Sequence, residues 1–114
     1  MKEIKVYMRP LVANRVIMDL EEAGARDMTL IRVDAIKPPL DQNQKADVAF
    51  ARCVIRSSVV AKLELVCLDE EVKLFVEIIR ARAHTGQRGD GRIFVSSVEG
   101  AVNIRTGETG EKAL

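Results

Sequence analysis

Tryptophan is absent from this 114-residue chain, tyrosine occurs once and phenylalanine three times. The interior must therefore be aliphatic, and the scarcity of rings argues against a surface on which nucleic-acid bases stack. Charge of one sign is missing too. Eighteen Lys and Arg stand against 17 Asp and Glu, a formal net charge of +1, which leaves no electrostatic footprint for nucleic acid or a membrane surface. Cysteine is limited to Cys53 and Cys67, whose spacing matches no zinc signature. No apolar run is long enough for a leader or a spanning helix, so the expectation is a soluble cytoplasmic protein with no direct membrane insertion. The single histidine, His84, has no serine or cysteine nucleophile in a recognisable motif beside it, so no catalytic residue is assigned and an enzyme is not expected.

What remains is strongly patterned. Ile4, Val6 and Met8 alternate with Lys5, Tyr7 and Arg9 up to Pro10, the period of a strand with one buried face. Ala13, Val16, Ile17 and Leu20 then recur at helical spacing before Gly24. Residues 28–34 read as a second strand at an antiparallel or edge position, because Arg32 and Asp34 point outward. Residues 59–68 read as a third, with Lys62 and Glu64 on one face. A second helix is expected to be N-capped by Asp69, to carry Glu70 and Glu71 in its first turn, and to bury Val72, Phe75, Val76, Ile79 and Ala83, with Gly86 as its C-cap. Residues 93–95 give a fourth strand and 101–104 a short fifth. This order is α+β, the ferredoxin-like split βαβ arrangement (βαββαβ plus a short C-terminal strand) in a single domain spanning residues 1–114. Two helices on one side of such a sheet leave its other face bare, and self-association is the economical way to cover it.

The segment Thr85-Gly86-Gln87-Arg88-Gly89-Asp90-Gly91-Arg92-Ile93-Phe94-Val95, followed by Ile104-Arg105-Thr106-Gly107-Glu108, places two glycine turns beside arginines. Glycines let backbone N–H groups approach phosphate oxygens without a Cβ in the way, and a guanidinium adds a planar, permanent charge. Glycine alone is equally at home in helix caps and chain reversals. Arg92 and the loop over 104–107 tip the reading towards an anion site, with residues 85–92 and 104–107 as the two phosphate-binding turns.

Both stretches closely resemble the C-terminal third of the P-II signal-transduction (nitrogen regulatory) family, and the resemblance extends to Met28-Thr29 and Lys62-Leu63-Glu64. It implies a homotrimer whose intersubunit clefts bind an adenine nucleotide (ADP, AMP or ATP) as effector, with no metal cofactor expected. Carried over position by position, it assigns phosphate contacts to Gly89, Asp90, Gly91 and Arg92, and the adenine pocket to Glu64 and Val66. The neighbouring subunit would add Thr29, next to Met28, and Arg105, although Thr29 reads equally well as an ordinary strand residue. The departures matter. Ala35-Ile36-Lys37-Pro38-Pro39 replaces the family's glycine-rich Arg-Gln entry to its long loop, Val60 replaces a lysine, and Asn103 replaces the first of two arginines. Each charge-assisted phosphate contact contributes about 1.5–3 kcal/mol, so three losses would weaken ATP by several orders of magnitude. ADP or AMP should then compete well, and magnesium-dependent 2-oxoglutarate sensing should be absent.

Residues 36–58 form the long loop between strands 2 and 3, which in the family reaches the regulated target. The stretch holds Lys37, Lys45, Arg52 and Arg56 against Asp41 and Asp47, a net of +2, together with Phe50. Lys37, Lys45, Phe50, Arg52 and Arg56 are accordingly the candidate contacts to a membrane transporter or metabolic enzyme. The loop has no tyrosine, so the family's nucleotidylation cannot occur there, and Ser57 and Ser58 read as turn formers. Composition alone favours a solvated loop folded back on the body, and the resemblance reverses that preference. The resemblance also leaves open a metal- or bicarbonate-responsive trimer serving cation efflux or inorganic-carbon transport, with Cys53, Cys67 and His84 as the available soft ligands. For the latter two, a buried thiol and a helix-end imidazole are the simpler readings.

Overall fold

The computed structural model describes residues 1–36 and 57–114. β1 (Lys2–Met8) alternates as its sequence demands: Ile4, Val6 and Met8 are buried, while Glu3, Lys5 and Tyr7 face the other way. Pro10 both ends this strand and opens α1 (Pro10–Glu22) at a position where its missing N–H costs nothing. The helix ends on Ala23 and Gly24, the glycine at φ 93°, with Gly24 N–H donating to Glu21 and Ala25 N–H to Leu20. Those two bonds satisfy carbonyls that the helix leaves without partners.

β2 (Thr29–Ile36) and β3 (Ser57–Cys67) are longer than the pattern suggested, so Ile36, Ser57 and Ser58 belong to strands and not to the connecting loop. β4 (Gly91–Ser97) completes an antiparallel sheet in the order β2-β3-β1-β4, with β2 at an edge as Arg32 and Asp34 implied. Lys37, Lys45, Phe50, Arg52 and Arg56, together with Cys53, lie outside the described residues.

Between β3 and β4, a short 3₁₀ turn (Asp69–Glu71) leads into α2 (Val72–Ala83). Asp69 is not the cap expected of it. Glu71 directly precedes α2 and Leu68 precedes the 3₁₀ turn, its N–H donating to Glu71 Oε2 at 2.8 Å, while Asp69 pairs with the N-terminal ammonium at 2.9 Å. At the other end His84 occupies the C-cap position, and Gly86 lies in the following turn. The strand expected over 101–104 is reduced to one bridge between Val102 and Thr109, because Asn103 folds that stretch into a tight turn.

Both helices pack on one face of the sheet. Val12, Val16 and Leu20 of α1 and Phe75 and Ile79 of α2 close over Ile4, Val6, Met8, Leu63 and Leu65, and Asp19 of α1 pairs with Arg82 of α2 at the rim. The opposite face carries Ile31, Val33, Val60, Tyr7 and Phe94 around a patch of charge, where Lys62 meets Glu64 at 2.6 Å and Lys5 meets Glu3 at 3.6 Å. Phe94 meets Tyr7 edge to face, ring centroids 6.0 Å apart, yet remains 50% exposed there.

Phe75 is the largest fully enclosed side chain, and truncating it leaves a cavity at the junction of α2 with the sheet. Phe75→Ala is expected to lose about 3–5 kcal/mol of stability, read from urea unfolding; a loss under about 1 kcal/mol would show that the junction repacks.

Candidate functional site

The sequence candidates fall into two groups at opposite ends of the sheet. At one end the loop over 85–91 connects α2 to β4, and Asp90 shapes it. Its carboxylate accepts from the Thr85 hydroxyl, from Thr85 N–H at 2.8 Å and from Gly86 N–H at 3.0 Å, and it faces Arg9 Nε at 3.5 Å. Those donors, the Thr85 hydroxyl foremost, hold the Asp90 carboxyl down to about 2. Asp90 therefore serves the loop from within, its charge consumed by backbone and guanidinium.

Arg9, which the sequence reading treated only as a strand residue, is the second organiser. Besides Asp90, it donates from Nη2 to the Arg88 carbonyl at 2.7 Å. No motif marked it, since its partners lie about eighty residues away. The glycines fit around these contacts. Gly89 has φ 100°, and a Cβ there would stand 3.1 Å from Arg9 Nη2; Gly91 has φ 106°, and a Cβ would stand 1.7 Å from the Tyr7 carbonyl oxygen. Only glycine can bring the start of β4 so close to β1.

Beside this loop lies a cavity of about 370 Å³ lined by Tyr7, Met8, Ala35, Ser58, Val60, Gly89, Gly91, Arg92 and Phe94. It brings three of the predicted phosphate residues, Gly89, Gly91 and Arg92, against the ends of β2 and β3 that flank residues 37–56. Val60, where the resembled family has lysine, is part of the lining. Arg92 is exposed at the rim, opposite Tyr7 in the sheet.

The second group meets at the far end of β1. Thr29, Glu64 and Val66 line a 280 Å³ recess with Glu3, Arg26, Asp27, Leu65 and the C-terminal residues Ala113 and Leu114. Thr29 is directly opposite Glu64 in the β2/β3 register. Lys62 draws the Glu64 carboxyl below its usual range, and Glu64 in turn raises Lys62, so both carry charge at neutral pH. Met28 takes no part in the lining and packs half-buried against the core.

Arg105 stands apart from both recesses, exposed on the turn over 103–107. Asn103 Oδ1 accepts the N–H groups of Arg105 at 3.0 Å and Thr106 at 3.1 Å, and Gly107, at φ 75°, closes the turn onto the Asn103 carbonyl. The residue that replaces an arginine in the resemblance thus fixes the backbone of the arginine that remains. Ile104 beside it is fully exposed. Cys67 is buried at the end of β3 and burial raises its thiol pKa, whereas His84 is exposed at the end of α2. Among the described residues, no three His, Cys, Asp or Glu side chains gather closely enough to hold a metal ion, and no helix is long and apolar enough to cross a membrane.

Asp90 titrates at about 2 in the fold and near 3.9 when unfolded, so its contribution to stability is complete above about pH 4 and lost as pH falls towards 2. Asp90→Asn should flatten the fall of the melting temperature across that window; an unaltered slope would mean that other carboxylates set it. Gly91→Ala should cost about 3 kcal/mol or more, from forced φ and the clash with Tyr7, measured by urea unfolding against Gly24→Ala, whose Cβ meets nothing within 4 Å.

Comparison with known proteins finds matches that run through nearly the whole chain. The family model described as nitrogen regulatory protein P-II matches residues 1–108. A nitrogen regulatory protein P-II from Rhodobacter capsulatus is 37% identical over 117 aligned residues that cover all of both chains. The nitrogen regulatory protein P-II 2 of Methanothermobacter thermautotrophicus is 39% identical over 114 residues, covering all of this chain and 97% of that one. One from Rhizobium meliloti is 35% identical, again over the full length of both. These relatives are named as regulators and not as enzymes. With its antiparallel β2-β3-β1-β4 sheet, its two helices on one face and a match running through nearly its whole length, the chain belongs to the P-II family of nitrogen regulatory proteins.

Proposed function

We propose that this protein is a regulator that binds an adenine nucleotide between the subunits of a homotrimer and passes its occupancy to a transporter or metabolic enzyme through residues 36–58. The observation that carries this reading is the composition of the cavity beside the glycine loop, where Gly89, Gly91 and Arg92 share one surface with Ala35 and Ser58. An anion held by the loop also touches the two strands from which residues 37–56 depart. Such contact gives a ligand the differential affinity for two arrangements of that segment that a switch requires.

Two further features support assembly. Val66 pairs with Glu3 and Gly91 with Met8, so the two recesses are separated by five residues of β1, about 17 Å at the rise of an antiparallel strand. That separation favours a reading in which Thr29, Glu64 and Val66 complete the glycine loop of a neighbouring copy rather than that of their own. The exposed sheet face, with Ile31 and Phe94 around the Lys62–Glu64 pair, supplies apolar area for the same association.

Nucleotide preference follows from the cationic groups available. The described residues of the glycine-loop cavity include Arg92 as their one cation, and Val60 adds apolar surface. ADP and AMP ask less of such a site than ATP does. Titration calorimetry should detect ADP and AMP binding at least as tightly as ATP, with no strengthening of ATP by magnesium and 2-oxoglutarate. Light scattering should give a mass three times that of the chain. Absence of heat with every nucleotide at millimolar concentration, or a monomer in solution, would remove the proposal.

A further inference from the structure

A carboxylate in the middle of a phosphate-binding turn is an electrostatic liability, because it repels the anion that the surrounding N–H groups attract. Asp90 is such a carboxylate, flanked in sequence by Gly89 and Gly91. Resting on the nucleotide reading above, we propose that Arg9 is a positioning residue of the phosphate site, which neutralises Asp90 and fixes the loop against the β1–α1 junction without itself reaching the ligand.

Three observations on different atoms support this. Arg9 Nε faces Asp90 Oδ1 at 3.5 Å, on the oxygen that also accepts the Thr85 hydroxyl. Arg9 Nη2 donates to the Arg88 carbonyl at 2.7 Å, turning that carbonyl towards the guanidinium. Gly89 then passes so close to the guanidinium that a Cβ would stand 3.1 Å from Nη2. Carboxylate, carbonyl and bare Cα together form a seat for one planar cation with several donors, a shape that lysine cannot fill.

The other end of the side chain matters equally. Arg9 directly precedes Pro10, the first residue of α1, and follows Met8, the partner of Gly91 in the sheet. The loop is thus referenced to the rigid centre of the fold, at a point where φ of the next residue is set by the proline ring. Arg92, which stands one residue beyond Gly91, inherits that position.

The test uses the full-length protein, with ADP, AMP and adenosine as probes. Arg9→Gln keeps a donor but not the charge, Arg9→Lys keeps the charge but not the fork, and Asp90→Asn removes the charge that Arg9 answers. Arg9→Gln should weaken ADP by about tenfold or more and AMP by less, while leaving adenosine unchanged, and amide exchange over residues 85–91 should quicken in the ligand-free protein while β1 and β3 keep their protection. Arg9→Lys should recover part of the ADP affinity, and adding Asp90→Asn to Arg9→Gln should recover more of the affinity than of the exchange protection. Equal losses for ADP and adenosine would reduce Arg9 to a stabilising residue and overturn the proposal, as would unchanged ADP affinity in Arg9→Gln. Absence of ADP binding to the unsubstituted protein would instead sink the nucleotide reading, and the phosphate role of Arg9 with it.

Discussion

β1 is the constraint on which the rest of the molecule depends. It is flanked by β3 on one side and β4 on the other, so its alternation sorts the whole sheet into a covered and an open face. Ile4, Val6 and Met8 anchor both helices, while Glu3 and Tyr7 belong to the two recesses of the open side. A register shift of one residue would exchange these roles. Gly91 blocks such a slip locally, since its bare Cα is what lets β4 lie against the Tyr7 carbonyl.

Much of this was legible in the chain. Periodicity revealed four strands and two helices, because a one-sided sheet forces strict alternation on its strands and a stripe on its helices. Termini were read less well. Asp69 looks like a cap by composition, yet it lies inside a 3₁₀ turn that Leu68 opens, with the Glu71 side chain reaching back to Leu68, an arrangement that propensity alone does not reveal. Gly86 and the stretch over 101–104 were misread for a related reason. Local side chains impose the conformation there: Asp90 accepts the Gly86 N–H, and Asn103, within the second stretch, accepts that of Arg105.

The candidate site was legible where the backbone demands glycine, at Gly89 and Gly91, and where a charge stands beside them in sequence, at Arg92. It was illegible where distant residues cooperate. Arg9 contacts a loop about eighty positions away, and no spacing rule connects them. Asn103 was visible only as a lost arginine. In the fold it is the acceptor that shapes the turn carrying Arg105, so one substitution removes a charge and gains a rigid support.

Internal support of this kind bears on where motion can arise. The turn over 85–91 is held by contacts among Thr85, Gly86, Asp90 and Arg9, all internal to the chain. On the proposed reading, capturing an anion there would incur little entropic penalty of organisation. A preformed cradle also has little conformational change of its own to transmit. On the proposed reading it would be the fixed reference of the device, and any message would be carried by segments around it.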